Sequence, residues 1–216
     1  MNTDTVYDLL SRHRLVAVLR LDDLSHAEPL VDALLEAGVR VMEFTLTNPD
    51  ALPVIRKLRK QVGAFDDGSA TLGVGSVISV GQARASVTAG AQFIVTPVVE
   101  KDVIRYCEGN GVPIFPGALT PTEIHMARVG GARVVKLFPA GCMGPAYVRD
   151  LLAPFPEFEL LPTGGVNLEN LGEFLANGAV AVGVGSNLID AHALAAGDWP
   201  AVARHAARYV EAARPR

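Results

Sequence analysis

Short runs of β-branched and other apolar residues alternate along the chain with longer stretches whose apolar positions recur at helical spacing. The short runs are LVAVLR (15–20), VRVMEFT (39–45), ATLGVGS (70–76), QFIVTP (92–97), VPIFPG (112–117), RVVKLFP (133–139), FELLPTG (158–164) and AVAVGVGS (179–186). Each has the length and residue preference of a buried strand. Seven are followed by helix signals, such as the Ser25 region leading into AEPLVDALLEAG, or Thr122 before Glu123 and IHMARVGG. AGV, AGAQ, GNGV, GGAR and NGAV recur just before strands and mark turns at helix C-termini. The first thirteen residues read as an extra helix, and a last helix is expected near 198–213.

Eight strand–helix units over 216 residues average about 27 residues each, near the minimum for a βαβ repeat. Eight parallel strands with helical returns can close into a (β/α)₈ TIM barrel and so remove the sheet edges. An open doubly wound sheet has the same local pattern, so the rhythm alone does not choose between them. No long linker, charge block or low-complexity segment divides the chain. One domain over 1–216 is expected, with the extra N-terminal helix covering the bottom of a barrel.

Composition agrees with a parallel sheet covered on both faces: half the residues are apolar and 19% are charged. The formal charge of −4 and the scattered lysines and arginines leave no basic footprint for nucleic acid. No apolar run approaches the roughly 20 residues of a membrane helix. The N-terminus, MNTDTVYDLLSRHR, lacks the basic start and apolar core of a secretory signal. A soluble, cytoplasmic protein is expected. Cys107 and Cys142 have no Cys-x-x-Cys spacing, and the five histidines share no ligand spacing, so no metal site is expected.

Parallel-sheet enzymes gather functional groups at the C-terminal ends of strands. That shortlist is Arg20, Glu43, Thr45, Thr47, Ser76, Thr96, Pro97, Lys136, Phe138, Thr163 and Ser186, and two of these stand out. Lys136 shares a strand face with Val134 and Phe138, while Val135 and Leu137 take the other face. Desolvation disfavours a charged amine and leaves one able to attack a carbonyl. The alternative is a lysine that snorkels or pairs with a carboxylate. Glu43 shares a face with Val41 and Thr45. In a barrel the second and sixth strands stand opposite each other, so the two side chains can meet across the axis at one level. Glu43 would then shuttle protons, with a water between it and the amine; a plain buried salt bridge is the alternative.

PTGGV (162–166) ends the seventh strand and GVGS (183–186) the eighth. Loops at those positions frequently hold phosphate through backbone N–H groups and a helix N-terminus, which makes Gly164, Gly165, Gly185 and Ser186 the candidates. GVGSV (73–77) ends the third strand in the same manner, and its glycines would let a substrate approach the backbone closely.

Taken together, VAVLR, MEFTLTNP, GVGSV, FIVTP, PGALTPTE, VVKLFPAGCMGPAYVRDLLAPFP, PTGGVNLENL and GVGSNLI resemble the 2-keto-3-deoxy-6-phosphogluconate (KDPG) aldolase family. The resemblance runs from about residue 15 to residue 190. Relatives in that family act on the galactonate analogue or on 4-hydroxy-2-oxoglutarate. The resemblance implies a homotrimeric barrel without metal or other cofactor, acting on a phosphorylated 2-keto-3-deoxy sugar acid and releasing pyruvate. It makes Lys136 the Schiff-base lysine and Glu43 the general acid/base. Phe138 would pack beside the imine, Thr163 line the channel, Pro97 lie near the pyruvyl end, and Gly164, Gly165 and Ser186 hold phosphate. Two departures bear on substrate. Some members carry an arginine for the substrate carboxylate at the position of Thr47, a role that passes here to Arg20. The family's GAGTV is GVGSV here, so Ser76 replaces a threonine and Val74 adds bulk. A phosphate-binding barrel isomerase and a non-catalytic sugar-phosphate sensor are the readings from other classes.

Overall fold

A computed structural model describes residues 3–215. Eight strand positions form one parallel ring. The first four strands are Leu15–Leu19, Val41–Thr45, Thr71–Gly75 and Ile94–Val95. The fifth is in two pieces, Ile114–Phe115 and Gly117–Ala118. Val134–Leu137, Glu159–Pro162 and Val182–Val184 complete the series. Hydrogen bonding runs from the fifth strand back to the first and on to the eighth. The second piece of the fifth pairs with the sixth, the sixth with the seventh, and a bridge between Thr163 and Gly183 closes the circle. The closed barrel, not the open sheet, is therefore the solution this chain adopts.

Pro116 explains the broken strand: it has no N–H to continue the ladder. Phe115 O still accepts from Thr96 N, Pro116 O accepts from Lys136 N at 2.9 Å, and Gly117 N donates to Thr96 Oγ1 at 3.3 Å. One strand thus turns from its left-hand neighbour to its right-hand one at a single proline.

Side-chain parity divides the core in two. Leu15, Met42, Phe44, Leu72, Val135 and Leu137 point outward and pack beneath the helices. Val16, Val41, Phe93, Phe115, Val134 and Leu161 point inward and fill the lower lumen with Val6, Tyr7 and Leu10 of α1 (Thr3–His13). α1 is the expected extra helix; Met1 and Asn2, which that expectation included, lie outside the described residues. The expected last helix is present as Trp199–Ala213, preceded by an unexpected short helix, Ala191–Ala196. Among the described residues no helix is long and apolar enough to cross a membrane.

The glycine turns hold: Gly38, Gly90, Gly111, Gly131 and Gly178 all have positive φ where a helix gives way to a strand. Two helix starts differ from expectation. The helix expected near Ser25 begins at Ala27 with His26 as its cap, and Ser25 Oγ is bonded to Asp23 instead. The helix Pro121–Val129 is capped by Thr120, not Thr122: Thr120 and Glu123 form a reciprocal capping box with proline in the first turn.

Candidate active site

Lys136 and Glu43 reach the lumen because each sits at an inward position of its strand. Their Nζ and Oε1 atoms are 4.0 Å apart, with the side chains 9% and 1% exposed. That separation exceeds a direct hydrogen bond. It still couples the two groups strongly in an interior that screens charge poorly. Lys136 Nζ also lies 5.0 Å from the centroid of the Phe138 ring.

Glycine clears the space beside Glu43. In the ladder Glu43 is paired with Val18 and Gly73, and Lys136 with Gly117 and Leu161. A Cβ on Gly75 would fall 2.9 Å from Glu43 Oε1, and one on Gly73 would fall 2.4 Å from the Phe93 ring. The GVGSV glycines therefore make room for protein side chains. Val74 faces the helices, so its bulk lies outside the lumen.

Both Glu43 oxygens are buried with no hydrogen-bond partner among the described residues. Burial pushes this carboxyl above its ordinary range, while the positive charges of Lys136 and Arg20 pull it back down. A carboxyl whose affinity for its proton is raised in this way, set beside an amine, is equipped to donate a proton and take it back.

Above the pair opens a cleft of about 220 Å³ at the C-terminal ends of the strands. Lys136, Phe138 and Thr163 line it, and Arg20 stands exposed at its rim. Gly164 and Gly165 form one wall, and Gly185 and Ser186 the other. Gly164 and Gly165 hold φ of 83° and 81°, a left-handed backbone that favours glycine. The wall is loop, not helix: the following helix starts only at Leu171, and Ser186 opens a single 3₁₀ turn. The helix N-terminus expected at this edge is represented by that 3₁₀ turn alone. Roomier hollows, about 470 Å³ beside His125 and about 600 Å³ beside Glu173, lie on the helical shell away from the strand ends.

Besides Glu43, which lies beneath the cleft, three residues expected to contact substrate stand outside the lining. Thr47 is exposed and shares a 2.7 Å hydrogen bond with the Thr45 hydroxyl. Ser76 is half-buried with a left-handed φ of 61°, an unusual conformation for serine. Pro97 packs against Gly117, whose added Cβ would lie 2.3 Å from the proline carbonyl. Val18, Val166 and Asn187 line the cleft without having been singled out from the sequence. Parity offered a signal for Val18, which shares a strand face with Val16 and Arg20. For Asn187 there was none, because its role is a contact across loops: its Nδ2 donates to Val166 O at 3.0 Å.

A family profile described as KDPG and KHG aldolase matches residues 6–205. The chain is 38% identical over 199 residues to a 2-dehydro-3-deoxy-phosphogluconate aldolase of Treponema pallidum, covering 92% of both chains. It is 35% identical over 178 residues to a 2-dehydro-3-deoxy-6-phosphogalactonate aldolase of Escherichia coli, covering 81% of this chain and 83% of the other. A solved KDPG aldolase from Legionella pneumophila, with pyruvate captured at low pH as a covalent carbinolamine, has the same fold. Its TM-score is 0.85 at 27% identity, over 95% of this chain and 97% of that one.

Proposed function

The chain belongs to the KDPG and KHG aldolase family and is thereby a carbon–carbon lyase, and we propose that it cleaves 2-keto-3-deoxy-6-phosphogluconate through a Schiff base on Lys136. The observation that carries this assignment is the enclosed Lys136–Glu43 pair beneath a cleft at the strand ends.

The Lys136 amine attacks the C2 ketone and forms a carbinolamine. Glu43 gives its proton to the departing hydroxyl, water leaves, and an iminium remains. The Glu43 carboxylate then accepts the C4 hydroxyl proton while the C3–C4 bond breaks and its electrons pass to the iminium. Glyceraldehyde 3-phosphate departs and leaves an enamine, which Glu43 reprotonates at C3. Hydrolysis of the imine releases pyruvate and frees the lysine. Arg20, at the rim, pairs with the substrate carboxylate. Phe138 and Thr163 wall the imine, and the loops at Gly164, Gly165, Gly185 and Ser186 take the phosphate. That remote grip orients C4 and uses binding energy away from the reacting atoms. Thr47 enters only through its bond to Thr45, and Ser76 and Pro97 as neighbours of Gly75 and Gly117. The same assignment makes 1–216 one domain and the assembly a homotrimer acting in the cytoplasm, in Entner–Doudoroff breakdown of sugar acids.

Borohydride reduction in the presence of pyruvate, followed by peptide mass mapping, tests the assignment. A pyruvyl adduct on Lys136 is expected; no adduct under conditions that trap a known aldolase refutes it. Lys136→Ala lowers kcat at least about a thousandfold, the scale set by removal of a covalent nucleophile, with the fold retained by circular dichroism. One observation favours a second reading, cleavage of 4-hydroxy-2-oxoglutarate: KHG stands in the family's own description. The ratio of kcat/KM on the phosphorylated and unphosphorylated substrates separates the two.

A further inference from the structure

The loop after the seventh strand is tied down by its carbonyl oxygens. Gly164 O accepts from Gly141 N at 2.7 Å, and Gly165 O accepts from Asn170 Nδ2 at 2.9 Å. In a trans peptide the carbonyl and the next residue's N–H point in opposite directions. Anchoring these two oxygens therefore turns the N–H groups of Gly165 and Val166 the other way. Gly164, Gly165 and Val166 line the cleft, whereas Gly141 and Asn170 do not. The carbonyls are drawn out of the cleft and its edge is left with donors, the polarity of an anion-binding concavity.

Asn170 holds this arrangement from both sides of Val166. Its Nδ2 fixes the Gly165–Val166 peptide, and its Oδ1 accepts from Asn167 N at 2.9 Å, fixing the next one. Asn167 Oδ1 accepts in return from Asn170 N at 3.1 Å. The site needs a donor and an acceptor on one short side chain; aspartate lacks the donor and leucine lacks both.

We propose that Asn170 is a positioning residue for the phosphate of the substrate: it touches no substrate atom, and it aims the Val166 N–H into the cleft. The proposal rests on the aldolase assignment above, and two measurements keep their failures apart. The first is steady-state kinetics of Asn170→Ala on both substrates. Loss of an aimed hydrogen bond to a charged group lowers kcat/KM for the phosphorylated substrate about tenfold or more, mainly through KM. For 4-hydroxy-2-oxoglutarate, which has no phosphate, kcat/KM stays within about twofold of wild type on the same ground, and so does pyruvate trapping on Lys136. A parallel loss on both substrates, or no loss on either, overturns the proposal.

The second measurement needs neither turnover nor a stable variant. Amide NMR of the wild-type protein titrated with inorganic phosphate is expected to show saturable shifts at Gly165 and Val166. Asn170→Ala removes the Val166 shift. Signals that do not move in the wild type overturn the proposal whatever the variant does. A wild-type protein with phosphate-dependent shifts but no pyruvate adduct on Lys136 refutes the aldolase assignment alone.

Discussion

Gly75→Ala is the most incisive single perturbation of the proposed proton shuttle. The φ of Gly75 lies outside the left-handed region, so alanine adds bulk there and not backbone strain. Its Cβ would sit 2.9 Å from both Cδ and Oε1 of Glu43 and 3.0 Å from Oε2. Carbon atoms in contact prefer about 3.5–4.0 Å, so the carboxyl must retreat by roughly half an ångström or more. The obstacle is the end of a side chain, which places the stability cost near the low end of the overpacking range, about 1 kcal/mol. In a chain of this size that lowers Tm by about 2–4 °C. Activity is far more sensitive, because a catalytic group misplaced by about 1 Å can lose a factor of about 100. Calorimetry with a coupled pyruvate assay checks both numbers. The expected result is a small fall in Tm with a loss of kcat on the order of 100-fold. Wild-type kcat alongside the small fall in Tm would show that the position of the Glu43 carboxyl does not govern proton transfer.

Gly117→Ala meets backbone instead, 2.3 Å from the Pro97 carbonyl, so it costs about 3 kcal/mol or more; a Tm within about 2 °C of wild type refutes that steric account. The buried Glu43 carboxyl has its folded pKa raised above the ordinary 4.5, so between these two values the folded state holds more protons than the unfolded chain. Stability linked to this group is therefore complete below 4.5 and declines as pH rises through the folded pKa. Urea unfolding across pH should give Glu43→Gln a flatter profile than wild type, and parallel profiles contradict the raised carboxyl. Thr120→Ala costs about 1 kcal/mol in urea unfolding with kcat/KM unchanged, whereas Thr122→Ala, inside the helix, is neutral or stabilising. The opposite order would move the cap back to Thr122.

The strands were legible because a strand buried on both faces reads as an apolar run, and because glycine is nearly obligatory where a helix turns left-handed into the next strand. Lys136 and Glu43 were legible for a related reason: a charge inside such a run has few places to go, and period-two alternation says which face it takes. The break in the fifth strand was not read. VPIFPG looks like one run, and only the ladder shows that Pro116 divides its partners. Asn170 was invisible because its significance lies in two hydrogen bonds to loop peptides, a relation with no periodicity. Gly75 was seen but its neighbour was not, since a glycine signals space without saying what fills it.

The pair at the centre of the barrel is poorly explained by stability. Ion pairs taken out of water recover little or none of their desolvation cost, and apolar side chains of similar volume often do as well or better. Here the inward neighbours below the pair are Val16, Val41, Phe93, Phe115 and Leu161, so an apolar layer of that kind is already present one step down. The chain interrupts that layer with an amine and a carboxyl. It also places glycine at Gly75, where a Cβ would fall on the Glu43 carboxyl. Among the described residues neither carboxyl oxygen has a hydrogen-bond partner, a cost that a purely structural salt bridge would avoid by bonding directly. The separation of 4.0 Å, too long for that bond, leaves the amine free to meet a carbonyl descending from the cleft while the acid stays within proton-transfer range of the new bond.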